Sequence, residues 1–315
     1  MIKVTNLSKT YFVTKPFDFV RFLFNRPAKP GFKALNSLNF SIADGEVVGL
    51  IGPNVAGKTT TIKLLTGLLR PTAGEVQIDA YTPADLITEF KKTITLFRGN
   101  VPLLDDGVVI KDSFEDKLKI YGCRKLAHNQ PLQALIMLAK ISRFLVKTPE
   151  ELSLGQRTWV ELVYALAHFP QYLFLDEPTI GLDLTVQIRF KAVIAHLVKA
   201  YQPTILITSH DLQTVVDICP RLILINKGKV MIDKPTEAAI KGSTIDKKII
   251  FSLKQPLPKK MALPANSVYQ FPKLTLLTPR EKLQTTIIDW SKKIDYLDID
   301  ITEPPLEQIF ARYYR

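Results

Sequence analysis

The chain has 315 residues, 46% of them hydrophobic, which suits about two or three folding units with sizeable cores and excludes a disordered protein. Its 42 basic and 30 acidic residues leave a net charge of +12, which favours anionic partners such as nucleotide phosphates, nucleic acid or acidic lipid without choosing among them. The two cysteines, Cys123 and Cys219, have no paired spacing, which excludes a disulfide framework and a Cys-based zinc site and points to a reducing, intracellular setting.

The first 33 residues carry seven basic side chains against the single acid Asp18, a local charge of +6. Between Val13 and Lys33, Phe17, Phe19, Phe22 and Phe24 are interleaved with cations and followed by Pro27, Pro30 and Gly31. This reads as an ordered surface insertion, with contact to an acidic lipid surface or a membrane protein as the functional alternative. Val47–Gly52 is an apolar run typical of a buried strand, and Lys58–Leu69 has helical spacing through Ile62, Leu65 and Leu69, weakened at Gly67 and stopped at Pro71. From Gly107 to Pro149 the pattern is helical, with Leu132, Leu135, Ile136, Ala139 and Ile141 on one packed face. A helix at Gly155–His168 precedes a buried strand at Tyr172–Leu175, and a helix at Val186–Lys199 precedes another at Thr204–Ile207. Such alternation specifies an α/β fold with a mostly parallel sheet, interrupted by a helical subdomain at about residues 101–165.

A polar stretch at Lys241–Lys248 divides this first domain, 1–240, from a small α/β unit at 241–315. Strands are expected there near Lys248–Leu253, Leu274–Leu277 and Tyr296–Ile301. One helix should start at the capping box Thr278-Pro279-Arg280-Glu281, and another after Pro304-Pro305 with Leu306, Ile309 and Phe310 on one side. No run anywhere reaches the roughly 18 apolar residues of a membrane-spanning helix, and Met1–Asn6 lacks a signal-peptide core, so the chain is expected neither to cross a membrane nor to be secreted by that route.

The strongest chemical signal is Gly52-Pro53-Asn54-Val55-Ala56-Gly57-Lys58-Thr59, followed by Thr60, set between an expected strand and an expected helix. A phosphate-binding loop needs both contexts: backbone N–H groups and a helix N-terminus surround the phosphates, Lys58 neutralises the β and γ oxygens, and the Thr59 hydroxyl can ligate magnesium. Val55 stands where such loops often use glycine, so a left-handed conformation there would cost about 1–3 kcal/mol unless the loop relaxes. Downstream, Asp176 and Glu177 lie at the C-terminal end of a buried strand, where α/β sheets bind ligands. Asp176 is placed to hold magnesium, directly or through water, and Glu177 to polarise the water that attacks a γ-phosphate.

These elements stand in a fixed order with Leu152-Ser153-Leu154-Gly155-Gln156-Arg157, Leu175-Asp176-Glu177-Pro178-Thr179-Ile180-Gly181-Leu182-Asp183 and Thr208-Ser209-His210. The set resembles the nucleotide-binding subunit of an ATP-binding cassette (ABC) transporter over residues 1–240, and its Ser-Leu-Gly-Gln-Arg form resembles two-component exporters whose permease is a separate polypeptide. The resemblance implies a P-loop ATPase that uses ATP and Mg2+ and works as a head-to-tail pair, either a homodimer or a heterodimer with a related ATPase, on a separate integral-membrane permease. The chain would then lie at the cytoplasmic face of the membrane, held mainly by that permease, with no nucleic-acid partner. Each ATP would sit between one P-loop and the partner's signature, formed here by Ser153, Gly155 and Gln156. Asp183 corresponds to the loop that couples the two sites, His210 to the switch histidine on the γ-phosphate, and Tyr11 to the aromatic residue that stacks on adenine.

The family's glutamine near residue 100 is absent; Phe97-Arg98-Gly99-Asn100 puts Asn100 in its place, one methylene shorter, as a metal- or water-contacting amide. Val55 and Asn100 keep open the alternative of a degenerate cassette that binds ATP with little hydrolysis. The positive charge keeps open a soluble, non-transport ABC ATPase, although neither a second cassette nor a long coiled-coil insertion is present. The unit at 241–315 resembles the accessory extension of some exporter ATPases, a dimer contact or regulator.

Overall fold

The computed structural model describes residues 1–12, 30–209, 212–241, 246–258, 260–302, 306 and 310. His210, most of the basic Phe-rich segment and most of the helix expected after Pro305 lie outside the described residues. The chain begins with β1 (Ile2–Phe12) and β2 (Pro30–Ile42), passes through β3 (Val47–Ile51) and helix α1 (Lys58–Leu65), and returns as β4 (Ala73–Ile78). Strands β2, β1 and β4 form an antiparallel sheet, in that order, in which Val4 faces Phe40 on one side and Val76 on the other.

Helix α2 (Thr88–Thr93) leads into β5 (Ile94–Arg98), after which the helical region supplies α3 (Ile110–Ile120) and α4 (Gln130–Ala139). The long helix α5 (Leu154–Leu166) then feeds β6 (Tyr172–Asp176), α6 (Leu184–Tyr201) feeds β7 (Thr204–Thr208), and α7 (Leu212–Ile218) leads to β8 (Arg221–Asn226) and β9 (Lys229–Pro235). The second sheet has the order β5-β6-β7-β3-β8-β9, and the pairs β5/β6, β6/β7, β7/β3 and β3/β8 are parallel. Every residue of β3, β6 and β7 is buried, which is why these strands read as unbroken apolar runs.

Helix α1 lies where the two sheets share a core: its Ile62, Leu64 and Leu65 belong to one apolar cluster with Leu7, Leu35 and Phe40 and with Leu50, Phe174 and Leu206. The helix stops at Leu65, four residues before the expected Leu69, because Gly67 at φ 75° takes a left-handed C-terminal turn and donates to the Leu64 carbonyl at 3.2 Å. Glycine at that place ends a helix and does not merely weaken it. No helix among the described residues is long and apolar enough to cross a membrane, and both cysteines are free thiols.

The molecule divides into two compact units, Met1–Lys234 and Pro235–Arg315. In the second, α8 (Thr236–Lys241) precedes β10 (Asp246–Leu253), β11 (Ser267–Gln270) and β12 (Lys273–Pro279), then α9 (Leu283–Ser291) and β13 (Tyr296–Thr302). The strands form an antiparallel sheet in the order β11-β12-β10-β13, with Ile249, Phe251, Leu253, Leu274 and Leu276 packed on Trp290 and Ile294. The expected capping box at Thr278 does not form. Strand β12 runs through that threonine, a 3-10 turn occupies Arg280–Lys282, and the Thr278 hydroxyl meets that of Thr286 at 2.9 Å. Pairing with β10 across Lys247↔Thr278 outcompetes the local cap.

Candidate functional site

The sheet register alone assembles one end of the site. Arg98, Asp176 and Thr208 are direct partners across β5, β6 and β7, and Leu50 of β3 continues the row, so all four strands end together at their carboxyl edge. Loops leaving that edge are where an open parallel sheet binds its ligand. The loop after β3 is the glycine-rich sequence, and it ends at Gly57, the N-cap of α1 at φ 110°. A Cβ at Gly57 would lie 2.5 Å from Leu35 Cδ2 and 2.9 Å from the Ala34 carbonyl, so glycine is demanded by both conformation and space.

Val55 adopts φ 67° at the loop's crown and is 73% exposed. The loop therefore keeps its left-handed turn, and a β-branched side chain carries strain of about 1–3 kcal/mol. Lys58 is buried, at 8% exposure, and its Nζ donates to the carbonyls of Gly52 at 2.7 Å and Pro53 at 3.2 Å. Burial pushes its pKa below the ordinary lysine value, while the charges of Glu177 and Asp176 act in the opposite direction.

Asp176 is buried, and its Oδ1 accepts the Thr208 hydroxyl at 2.5 Å and the Thr59 hydroxyl at 3.3 Å. Glu177 follows at φ 54°, a rare conformation for glutamate, with its N–H directed at the Thr208 carbonyl (3.1 Å) and hydroxyl (3.2 Å). That turn separates the two acids, leaving Asp176 in the sheet and bringing Glu177 into the wall of a cleft of about 210 Å3. The cleft is lined by Asn54 to Thr60, Glu177, Phe32 and Ala34. Gly99 supports the strained turn from β5: its N–H donates to the Asp176 carbonyl at 3.1 Å, and a Cβ there would lie 2.4 Å from the Glu177 carbonyl.

The hydroxyls of Thr59 and Thr208 and the Asp176 carboxylate are hard oxygen donors, the kind that suits Mg2+ shared with phosphate and water. No group of three or more His, Cys, Asp or Glu side chains able to hold a metal occurs among the described residues, so such an ion would need the phosphates to complete its shell.

Tyr11 stands at the rim, its hydroxyl 3.4 Å from Thr60 Oγ1 and its ring 5.7 Å from the Lys9 ammonium. Asn100 is not brought to the cleft. It is exposed in a turn closed by the Val101 N–H on the Arg98 carbonyl at 3.0 Å. Ser153 and Gln156 form a reciprocal capping box at the start of α5, with Gln156 N–H on Ser153 Oγ at 3.4 Å and Ser153 N–H on Gln156 Oε1 at 3.2 Å. These residues lie outside the cleft, and Gly155 packs by the Asp183 loop, where an added Cβ would come within 3.2 Å of the Gly181 carbonyl. Asp183 itself caps α6, accepting the Val186 N–H at 2.9 Å.

Sequence reasoning missed Phe32, Ala34 and Thr208. Phe32 and Ala34 reach the cleft through strand pairing, with Thr10 opposite Lys33. Thr208 reaches Asp176 through the register of β6 with β7.

A family model described as "ABC transporter" matches residues 35–180. The chain is 30% identical over 241 residues to a putative ABC transporter ATP-binding protein of Clostridium acetobutylicum, covering 73% of this chain and 81% of that one. It is 32% identical over 259 residues to the energy-coupling factor transporter ATP-binding protein EcfA2 of Clostridium perfringens, covering 78% and 84%. Among solved structures, a dimeric ATP-binding cassette in a post-hydrolysis state, bound to ADP and Pi, superposes with a TM-score of 0.63 at 25% identity over 75% of this chain and 99% of that one. The glycine-rich loop, the separated carboxylates and these likenesses agree: the chain belongs to the ATP-binding subunits of the ABC transporter family and is an ABC-type ATPase.

Proposed function

We propose that this ATPase powers export through a separate membrane permease, working as a head-to-tail pair of cassettes in which each ATP lies between the P-loop of one chain and Ser153, Gly155 and Gln156 of the other. The observation that carries the reading is the cleft itself. Lys58, the residues of the glycine-rich loop, the start of α1 and Glu177 all line this one cleft, which brings the cation and amides that suit a triphosphate together with a carboxylate that suits an attacking water. The first turn of α5 carries no acidic side chain, and Ser153, Gly155 and Gln156 do not line the chain's own cleft, which suits a group that serves a second molecule. Export, as opposed to import, rests on the Ser153-Leu154-Gly155-Gln156-Arg157 form.

In this reading Lys58 exchanges the Gly52 and Pro53 carbonyls for β and γ oxygens, and Glu177 accepts a proton from the attacking water. Thr59 and Asp176 are the residues that would hold a Mg2+ ion, which when bound draws charge from the phosphates. His210 is assigned to the γ-phosphate on the sequence pattern alone. Asp183 both caps α6 and faces the partner. The unit that starts at Pro235 is an accessory regulator or dimer contact.

The test is Mg2+-dependent ATP turnover of the purified chain beside Glu177→Gln, with oligomeric state recorded with and without ATP. Turnover lost in the variant together with an ATP-bound dimer supports the motor reading. The second reading, a degenerate cassette paired with an active one, is favoured by the position of Asn100 outside the cleft; ATP binding without turnover in the parent chain would establish it. Direction is tested in inside-out membrane vesicles carrying the permease, where export requires ATP-dependent uptake.

A further inference from the structure

The segment that follows Asn100 is fastened to the signature helix by an ionic clasp built on a buried carboxylate. Glu161, two turns into α5 and 4% exposed, accepts the backbone N–H groups of Leu103 at 3.1 Å and Leu104 at 3.3 Å on Oε1. Arg157 supplies the matching charge. Its Nε donates to that same Oε1 at 3.0 Å, its Nη2 to the Leu104 carbonyl at 3.0 Å, and its Nη1 pairs with Asp106 at 2.8 Å. Three hydrogen bonds and one ion pair thus join residues 103–106 to the helix, and the guanidinium fork satisfies both the helix carboxylate and the loop.

A buried carboxylate with no other purpose would be a poor use of a helix position, since desolvating it costs more than an apolar side chain would. Here it accepts from two successive backbone N–H groups of the loop, Leu103 and Leu104. Arg157 is one turn from Ser153, so the clasp sits directly behind the signature end of α5. The far end of the helix has a separate fastener: Lys117 of α3 donates to the Tyr164 and Ala165 carbonyls at 2.8 and 2.9 Å.

We propose that Arg157 and Glu161 are positioning residues that make the Asn100–Asp106 segment and the signature end of α5 one mechanical piece. Held in this way, the signature end of α5 presents Ser153 and Gly155 to the nucleotide of the second chain. This rests on the two-cassette reading above.

The experiment measures ATP-dependent dimerisation by sedimentation in the Glu177→Gln background, with binding of a fluorescent ATP analogue to the monomer as the companion readout. Adding Arg157→Met or Glu161→Ala should weaken the dimer about tenfold or more and leave monomer affinity within about twofold, as expected for residues of one network. Glu161→Gln, which keeps an acceptor for the Leu103 and Leu104 amides, should restore most of the dimer, and Arg157→Met combined with Glu161→Ala should be little worse than either alone. Lys117→Met, which loosens the other end of the same helix, serves as the structural control and should leave dimerisation at the parent level. Unchanged dimerisation in folded Arg157→Met, or an equal loss in Lys117→Met, overturns the proposal. Failure of Glu177→Gln alone to dimerise with ATP overturns the two-cassette reading itself.

Discussion

The Thr208 hydroxyl donates to Asp176 Oδ1 at 2.5 Å and accepts the backbone N–H of Glu177 at 3.2 Å, so one side chain on β7 orients both Asp176 at the end of β6 and the Glu177 that follows it. Removing that hydroxyl as Thr208→Val keeps the shape and leaves a buried carboxylate short of a donor, at about 1–3 kcal/mol. Turnover should fall roughly tenfold to 100-fold, and the Mg2+ concentration for half-maximal rate should rise, while metal-free ATP binding stays near the parent value. Thr208→Ser should recover most of the rate. A magnesium titration of the three proteins decides it, and parent-like magnesium dependence in Thr208→Val would show that Asp176 needs no such support.

The strain at Val55 makes a second outcome calculable. Val55→Gly removes about 1–3 kcal/mol of left-handed strain and adds about 0.5–1 kcal/mol of chain entropy, so a net gain is expected. At about 2–4 °C per kcal/mol for a domain of this size, the melting midpoint should rise by a few degrees. Val55→Thr, also β-branched, should leave it unchanged, and calorimetry without nucleotide is the measurement. Equal midpoints for all three proteins would mean that the loop holds no strain at this residue.

Phe32 lines the cleft beside the glycine-rich loop, and the Tyr11 hydroxyl lies 3.4 Å from Thr60 Oγ1 from the neighbouring strand, so two aromatic side chains stand near the loop. Stacking a base on an aromatic ring is worth about 1–3 kcal/mol, so Phe32→Ala and Tyr11→Ala should each weaken ATP binding by about fivefold to 100-fold. Affinity for inorganic tripolyphosphate, which has no base, should not change in either. If only Tyr11→Ala weakens ATP, Phe32 is a wall and not a platform; titration calorimetry with both ligands separates the two.

What could be read in advance follows the range over which each feature is encoded. The P-loop, Asp176, Glu177 and the Ser153 cap are runs of a few residues whose backbone geometry is set locally, and the buried strands announce themselves by unbroken apolar runs. Phe32 and Thr208 owe their places to register between strands far apart in sequence, as in Thr10↔Lys33 and Asp176↔Thr208, which a single sequence does not print. Thr278 shows the converse failure, a sound local cap overridden by pairing with β10. The Arg157–Glu161 clasp was hidden for another reason: at helical spacing it looks like an ordinary surface ion pair, and only the burial of Glu161 against the loop after β5 distinguishes it.

His168 gives the molecule a predictable response to acid. Its Nε2 lies 3.2 Å from the Thr95 hydroxyl, which is also 3.2 Å from the Ala165 carbonyl. Nδ1 is buried without a hydrogen-bond partner among the described residues, and the Tyr121 ring lies over the imidazole with centroids 3.8 Å apart. Burial first, and then the charge of Lys117, press the pKa down to about 3, against a smaller opposing effect from the Ile94 backbone. The unfolded chain binds a proton here near the ordinary value of about 6.5, so between that pH and 3 it holds a proton that the native state refuses. The contribution of His168 to stability is therefore complete above about pH 6.5 and declines as pH falls, by about 2 kcal/mol at pH 5. His168→Phe keeps the packing on Tyr121 and has no proton to gain, so its melting midpoint should fall less than the parent's between pH 7.5 and 5, by about 4–8 °C. Parallel loss in both proteins would place the acid sensitivity elsewhere in the chain.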